Sequence, residues 1–254
     1  MKNLLVVPTR AVGGFFALSL DTFRFTFARP WQVREFIEQS WFIARVSMIP
    51  TVLVAVPFTV LVSFTLNILL REIGAADLSG AGAAFGTISQ VGPMVTVLIV
   101  AGAGATAICA DLGARTIREE IDAMEVLGID PVKRLVVPRV YASMIVALLL
   151  NAMVSTIGIF GGFVFSVFLQ GVNPGAFVNG ITLLTHLPDL ILSEVKAGLF
   201  GLVAGLVACY KGLTVKGGPK SVGDAVNETV VFAFMALFVI DVILTAVGIK
   251  VTAG

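Results

Sequence analysis

Charge is scarce in this 254-residue sequence: 13 % of its residues are Asp, Glu, Lys or Arg, against about a quarter in a soluble domain. Histidine occurs once and cysteine twice. These scarcities exclude several chemistries. Cys109 and Cys209 both lie inside apolar runs and read as small core residues rather than a disulfide or a metal pair. His186 stands alone, and nothing supplies the base and orienting group that a nucleophile needs. The HLPD that it opens also lacks the H-x-x-x-x-D spacing of an acyltransferase. No G-x-x-x-x-G-K-[ST] occurs, so the chain has no P-loop to cradle ATP phosphates. Glu119 and Glu120 are followed by Met124 where an E-E-x-x-x-R membrane protease needs Arg. A net charge of +1 gives no footprint for nucleic acid. Residues 1–40 have no compact basic region followed by an uninterrupted apolar core, so no cleavable signal peptide is expected.

What is abundant is hydrocarbon. Mean hydropathy is +1.01, and charge-free runs cover residues 46–70, 78–110 and 140–188. About 20 apolar residues cross a bilayer, where the backbone must satisfy its own hydrogen bonds. The expectation is an all-α, polytopic integral membrane protein. Its five spans are placed at 41–70, 83–110, 136–169, 187–210 and 225–249. Pro50 and Pro57 predict kinks in the first span. Residues 171–186, punctuated by Pro and Gly, read as an outer connection with one short helix. Residues 8–29 are too interrupted by charge to span and fit a helix lying in the interface, Phe side down and Arg side out. Trp31 and Trp41 suit the headgroup level. The domains expected are an interfacial segment, 1–40, and a five-span body, 41–254. With the N-terminus inside, segments 1–45, 111–139 and 211–220 hold 14 of the 17 basic residues. An inner (plasma) membrane location with a cytoplasmic N-terminus follows.

RTIREEIDAMEVLGIDP, residues 115–131, concentrates charge between the second and third spans. Thr116 and Glu119 have capping-box spacing, Gly128 suits a C′ position and Pro131 forbids continuation. A helix over 117–127 is predicted, with Ile117, Ile121, Met124 and Leu127 on one stripe. Glu119, Asp122 and Glu125 fall towards the other face, and Glu120 borders the stripe. Such a helix either joins two spans as a lid or docks a soluble partner on its acidic surface.

Charges inside spans are costly and informative. Asp241 lies in the fifth span, and Glu194 with Lys196 in the fourth. They either line a polar path or serve structure, Glu194 and Lys196 neutralising each other and Asp241 pairing within the bundle. Small-residue stretches at 82–86, 101–105 and 201–205 permit close helix approach.

EEIDAMEVLGIDP, preceded by VGPMVTVLIVAGAGATAICADLGAR and followed by VPRVYAS, with DVILTAVG near the C-terminus, resembles the MlaE/YrbE family of lipid-transport ABC permeases. The likeness covers most of residues 35–250 and is nearest to the A-type YrbE permeases of actinobacterial Mce systems. It implies an N-terminal interfacial helix, five spans, and a coupling helix at about 116–128. Ile117, Glu119, Glu120, Ile121, Asp122, Met124, Glu125 and Leu127 would engage a cytoplasmic ABC ATPase dimer. The implied partners are a second YrbE-type permease (a paralogue), that ATPase, Mce proteins on the outer side and membrane lipid. The chain itself would be a non-catalytic permease subunit without a cofactor, ATP and Mg belonging to the ATPase. Its cargo would be fatty acid or a related lipid, moved inward. Two positions depart from the family pattern: Gln90 replaces an acid and Ala103 an Arg, so a charged headgroup contact does not carry over to them. Polarity and resemblance together nominate Phe64, Asn67, Gln90 and Met94 for lipid contact. The alternative is an intramembrane enzyme acting on lipids or peptides, turning on a single polar residue such as His186 or Glu120.

Overall fold

A computed structural model describes residues 3–27, 31–75 and 78–252, with side chains described for 12–27, 31–75 and 78–248. Among these residues the regular structure is helical throughout. The elements are α1 (Asn3–Thr26), α2 (Val33–Glu72), α3 (Ser79–Ile117), α4 (Glu120–Val126), α5 (Val132–Leu169), α6 (Pro174–Leu184), α7 (Leu187–Leu213) and α8 (Pro219–Thr252). Five of them, α2, α3, α5, α7 and α8, are long and apolar enough to cross a membrane. The count agrees with the sequence reading, and the helices reach further than their apolar runs. At 40 residues α2 is about 60 Å long, against a hydrocarbon core of about 30 Å. The QVREFIEQS segment is therefore mostly the first turns of α2, which continues through Pro50 and Pro57. In α2 the Thr51 and Thr59 hydroxyls donate to the carbonyls of Ser47 and Ala55, so these buried polar groups need no partner from another helix.

α1 has three faces. Val12, Phe16, Leu20, Phe23 and Phe27 form an exposed stripe at helical spacing, while Asp21 and Arg24 are exposed to one side. Thr22 is buried on the remaining face, where Phe15 meets Tyr210 edge to face at 5.9 Å. Such faces suit a bilayer surface better than its interior.

The spans are not uniformly α-helical. Thr87–Val91 and Val132–Val136 widen to π geometry, each ending two residues before a proline, Pro93 and Pro138. Proline cannot donate to the preceding turn and crowds its carbonyl, and an extra residue per turn relieves that crowding.

The chain folds into two compact units built from segments of the same helices: Met1–Val46, Val100–Val146 and Gly201–Leu237 form the first, and Ser47–Ile99, Ala147–Phe200 and Phe238–Gly254 the second. In the first unit, Gly205 lies against Val140 and Ser143, and Ser143 donates to the carbonyl of Gly201. In the second, the start of α3 packs on α6. Asn173 caps α6, accepting from the amides of Gly175 and Ala176, with Pro174 at its first position, a standard helix start. Phe177 is fully buried and meets Phe163 edge to face at 5.4 Å. At Gly80 a Cβ would stand 1.9 Å from the carbonyl oxygen of Phe177, so only glycine fits. Gly80→Ala should therefore lower the thermal midpoint of the purified chain in detergent, at a cost of about 1–3 kcal/mol. Gly102→Ala is the control, since nothing lies within 4 Å of a Cβ there. Equal midpoints for the two variants would refute the close-approach account.

Candidate functional site

The segment between α3 and α5 departs from its predicted form at its start and matches at its end. Thr116 is not a cap. It lies inside α3, and its hydroxyl donates to the carbonyls of Leu112 and Gly212. The chain turns at Glu119 instead, the one described non-glycine residue with positive φ, at 58°. α4 is thus seven residues long rather than eleven. The capping-box spacing failed because Thr116 finds partners in its own helix and in α7. The end is a Schellman motif: Gly128 has φ 75°, its amide donates to Glu125, and the amide of Ile129 donates to Met124. Asp130 then caps α5 by accepting from the amides of Val132 and Lys133, with Pro131 at the first helical position.

The predicted stripe is oriented inward along most of its length. Ile121 is buried, and Ile117 and Met124 are half-buried. Leu127 is 74 % exposed and Val126 88 %, so the tip of α4 is apolar and unpartnered within the chain. Glu119, Asp122 and Glu125 are exposed beside it. An open groove of about 620 Å³ runs along α4, lined in part by Ile121, Asp122, Glu125, Ile129 and Asp130. Glu120 differs from the other acids: Arg118 holds it at 2.8 Å, with Arg115 4.0 Å away.

From Glu120 a line of charges continues within the first unit. Arg115 reaches Asp111 at 3.4 Å. Arg139, 0 % exposed, meets Asp111 at 2.6 Å and Glu35 at 3.4 Å, and also donates to the carbonyl of Leu135 at 3.0 Å. Glu35 accepts from Gln39 at 3.0 Å. The ends of α2, α3 and α5 are thereby joined through one buried guanidinium, whose planar fork can serve two carboxylates at once. Sequence reasoning passed over this set. A signal existed: Asp111 is the first charge after the second apolar run, and Arg139 the last before the third.

In the second unit Lys196 is 2 % exposed. Its ammonium pairs with Asp241 at 3.0 Å and donates to the Thr245 hydroxyl at 2.6 Å. The pairing of Glu194 with Lys196 drawn from sequence is thus corrected. Residues two apart on a helix do not face each other, and Glu194 instead accepts from Asn151 at 3.1 Å. Asn151 also donates to Ser193 at 3.0 Å. A cavity of about 150 Å³ adjoins Lys196, with Phe85, Ser89, Gln90, Ser193 and Thr245 in its wall.

Of the four residues nominated for lipid contact, only Gln90 lines that cavity. Asn67 is buried and donates to Ser166 at 2.7 Å. Phe64 stacks edge to face on Phe165 at 5.7 Å, and Met94 is half-buried. His186 is exposed, and its backbone amide is capped by Asp189 at 2.9 Å, which makes HLPD the start of α7.

Removing Arg139 leaves Glu35 without its cation and Asp111 with Arg115 alone, a loss of up to about 3–5 kcal/mol for a broken buried pair. Arg139→Met should therefore lower the thermal midpoint sharply. Arg139→Lys, which keeps the charge and loses the fork, should fall between it and the wild type. A midpoint for Arg139→Met equal to that of the wild type would show the network to be energetically idle.

Comparison with known proteins completes the picture. Residues 36–247 match the family described as Permease MlaE. A probable ABC transporter permease protein of Synechocystis is 32 % identical over 69 % of this chain and 68 % of its own length. The chloroplast protein trigalactosyldiacylglycerol 1 of Arabidopsis thaliana is 29 % identical over 62 % of this chain, and the match takes in only 45 % of that relative. The intermembrane phospholipid transport system permease protein MlaE of Haemophilus influenzae is 28 % identical over 71 % of this chain and 69 % of its own. With five membrane-length helices and a family match over most of its residues, the chain is a member of the MlaE permease family.

Proposed function

We propose that this permease is the membrane-embedded half of an ATP-driven lipid transporter of Mce type, with α4 as the element that a separate ATPase grips. The observation that carries the reading is the outer surface of α4: an apolar tip, Val126 and Leu127, flanked by Asp122, Glu125 and an acidic groove. An acidic face is repelled by anionic lipid, so a protein partner with basic and apolar side chains suits it better than a membrane surface does. The name of the Haemophilus relative, a phospholipid transport permease, supports a lipid cargo. ATP and Mg would be held on the ATPase chain.

In this reading α4 transmits force because its inner side is fixed. Ile121 is buried, Glu120 is held by arginines, and Thr116 is tied to Gly212. Displacement of α4 would reach α2 and α5 through Arg115, Asp111, Arg139 and Glu35. A second permease, a paralogue, would complete the lipid passage, with Mce proteins on the outer side. Fatty acids or related lipids would move inward across the inner membrane. The distribution of basic residues, 14 of 17 on the α4 side, supports a cytoplasmic N-terminus.

Charge reversal tests the reading on residues that hold nothing else in place. Glu120 is excluded because its loss would also disturb Arg115 and Arg118. In Asp122→Lys with Glu125→Lys, recovery of the ATPase with the purified permease should fall roughly tenfold or more, since like charges would then face each other across the interface. The thermal midpoint of the membrane chain should stay put. ATPase recovered at wild-type level would refute docking on this face.

A further inference from the structure

A cavity in the first unit lies away from α4. It holds about 300 Å³ where the last turn of α1 meets the first turns of α2 and α5, and Phe25, Trp31, Val33, Phe36, Val137 and Ile145 supply most of its wall. We infer that it is a binding site for one acyl chain of an anionic phospholipid drawn from the surrounding bilayer, distinct from any transported cargo.

Three observations fix that occupant. The first is the chemistry of the wall. Two of its polar members, Thr26 and Tyr141, satisfy each other at 3.0 Å. The Thr26 hydroxyl already donates to Thr22 at 2.8 Å, so the tyrosine is the donor of the pair. Neither hydroxyl needs a ligand, and the wall around them is mostly apolar. The second is size. At about 300 Å³ the space stands at the lower end of ligand pockets, enough for hydrocarbon chain but not for a whole two-chain lipid. The third is charge at the level of the headgroups. Lys133 contributes to the lining, and exposed Arg134 donates to Gln32, another lining residue. Trp31, 65 % exposed, marks the interfacial depth at which indole rings settle. A chain inserted here leaves its phosphate beside two basic residues, an arrangement that favours anionic over zwitterionic lipid.

The position gives the lipid a task. Val33 and Phe36 flank Glu35, and Pro138 precedes Arg139. An occupied cavity would buttress the Glu35–Arg139 pair from the bilayer side and hold the end of α1 against α2 and α5.

The test uses permease extracted from its native membrane in mild detergent, then exchanged into nanodiscs of phosphatidylcholine with a small fraction of phosphatidylglycerol. Retained lipid is read by native mass spectrometry. Wild type should keep phosphatidylglycerol through a second detergent exchange. Ile145→Trp and Val33→Trp each place an indole from an exposed position into the cavity, and each should reduce retention roughly tenfold while the helical circular dichroism stays that of the wild type. Lys133→Gln should bring phosphatidylglycerol retention down to the phosphatidylcholine level. The inference is overturned if both folded tryptophan variants retain phosphatidylglycerol like the wild type, or if the wild type keeps both lipids equally. It is also overturned if Val33→Cys and Ile145→Cys variants crosslink to a partner protein in the native complex while the lipid is absent.

Discussion

A fully buried guanidinium joins three helices of this permease beside α4. Arg139 satisfies Asp111 and Glu35 at once, and those residues belong to three different helices. Burying a charge is expensive unless it is paired and hydrogen-bonded. Its two terminal nitrogens meet Glu35, Asp111 and the carbonyl of Leu135, so the arrangement stands as a set. That is why α2 must begin at Val33, well before its apolar run: the turn bearing Glu35 and Gln39 has to reach Arg139. The length of α3 beyond its apolar run has the same cause, since Asp111 and Arg115 belong to its last turns.

Away from Arg139 and the Lys196–Asp241 pair the protein relies on closeness. Gly80 admits the carbonyl of Phe177, and Gly205 admits Val140 and Ser143. In a bilayer, lipid tails compete equally for any apolar surface, so helices associate through intimate packing and hydrogen bonds rather than through exclusion of water. α3 is the most enclosed span, with 61 % of its apolar window buried, and α8 the least, at 11 %. The glycine and alanine stretches of α3 fit a central helix, and the large side chains of α8, such as Phe232, Met235 and Phe238, fit one that faces lipid or another protein.

Hydropathy alone made the five spans legible, because a membrane permits few ways to satisfy a backbone. The Schellman end of α4 was legible for a similar reason: only glycine adopts φ 75° without strain. The start of α4 was not, since the TIRE sequence offers a capping box and a continuing α3 alike, and the choice depends on Gly212, 96 residues away. The same limit hid the partner of Lys196. Sequence neighbours suggested Glu194, yet Asp241 lies on another helix altogether. Asn67, nominated for a lipid head on its polarity, donates to Ser166, 99 residues later, which its sequence neighbourhood did not reveal. Local rules locate elements, and long-range hydrogen bonds decide which polar residues remain for a ligand.

Glu119 stands at φ 58° without a glycine's freedom, at a cost of about 1–2 kcal/mol relative to ordinary helical backbone. That quantity is close to a tenfold ratio of populations, small beside the whole fold and large beside thermal noise. The joint between α3 and α4 is thus held bent against its own backbone preference, and the burial of Ile121 and the pairing of Glu120 with Arg118 outweigh that preference.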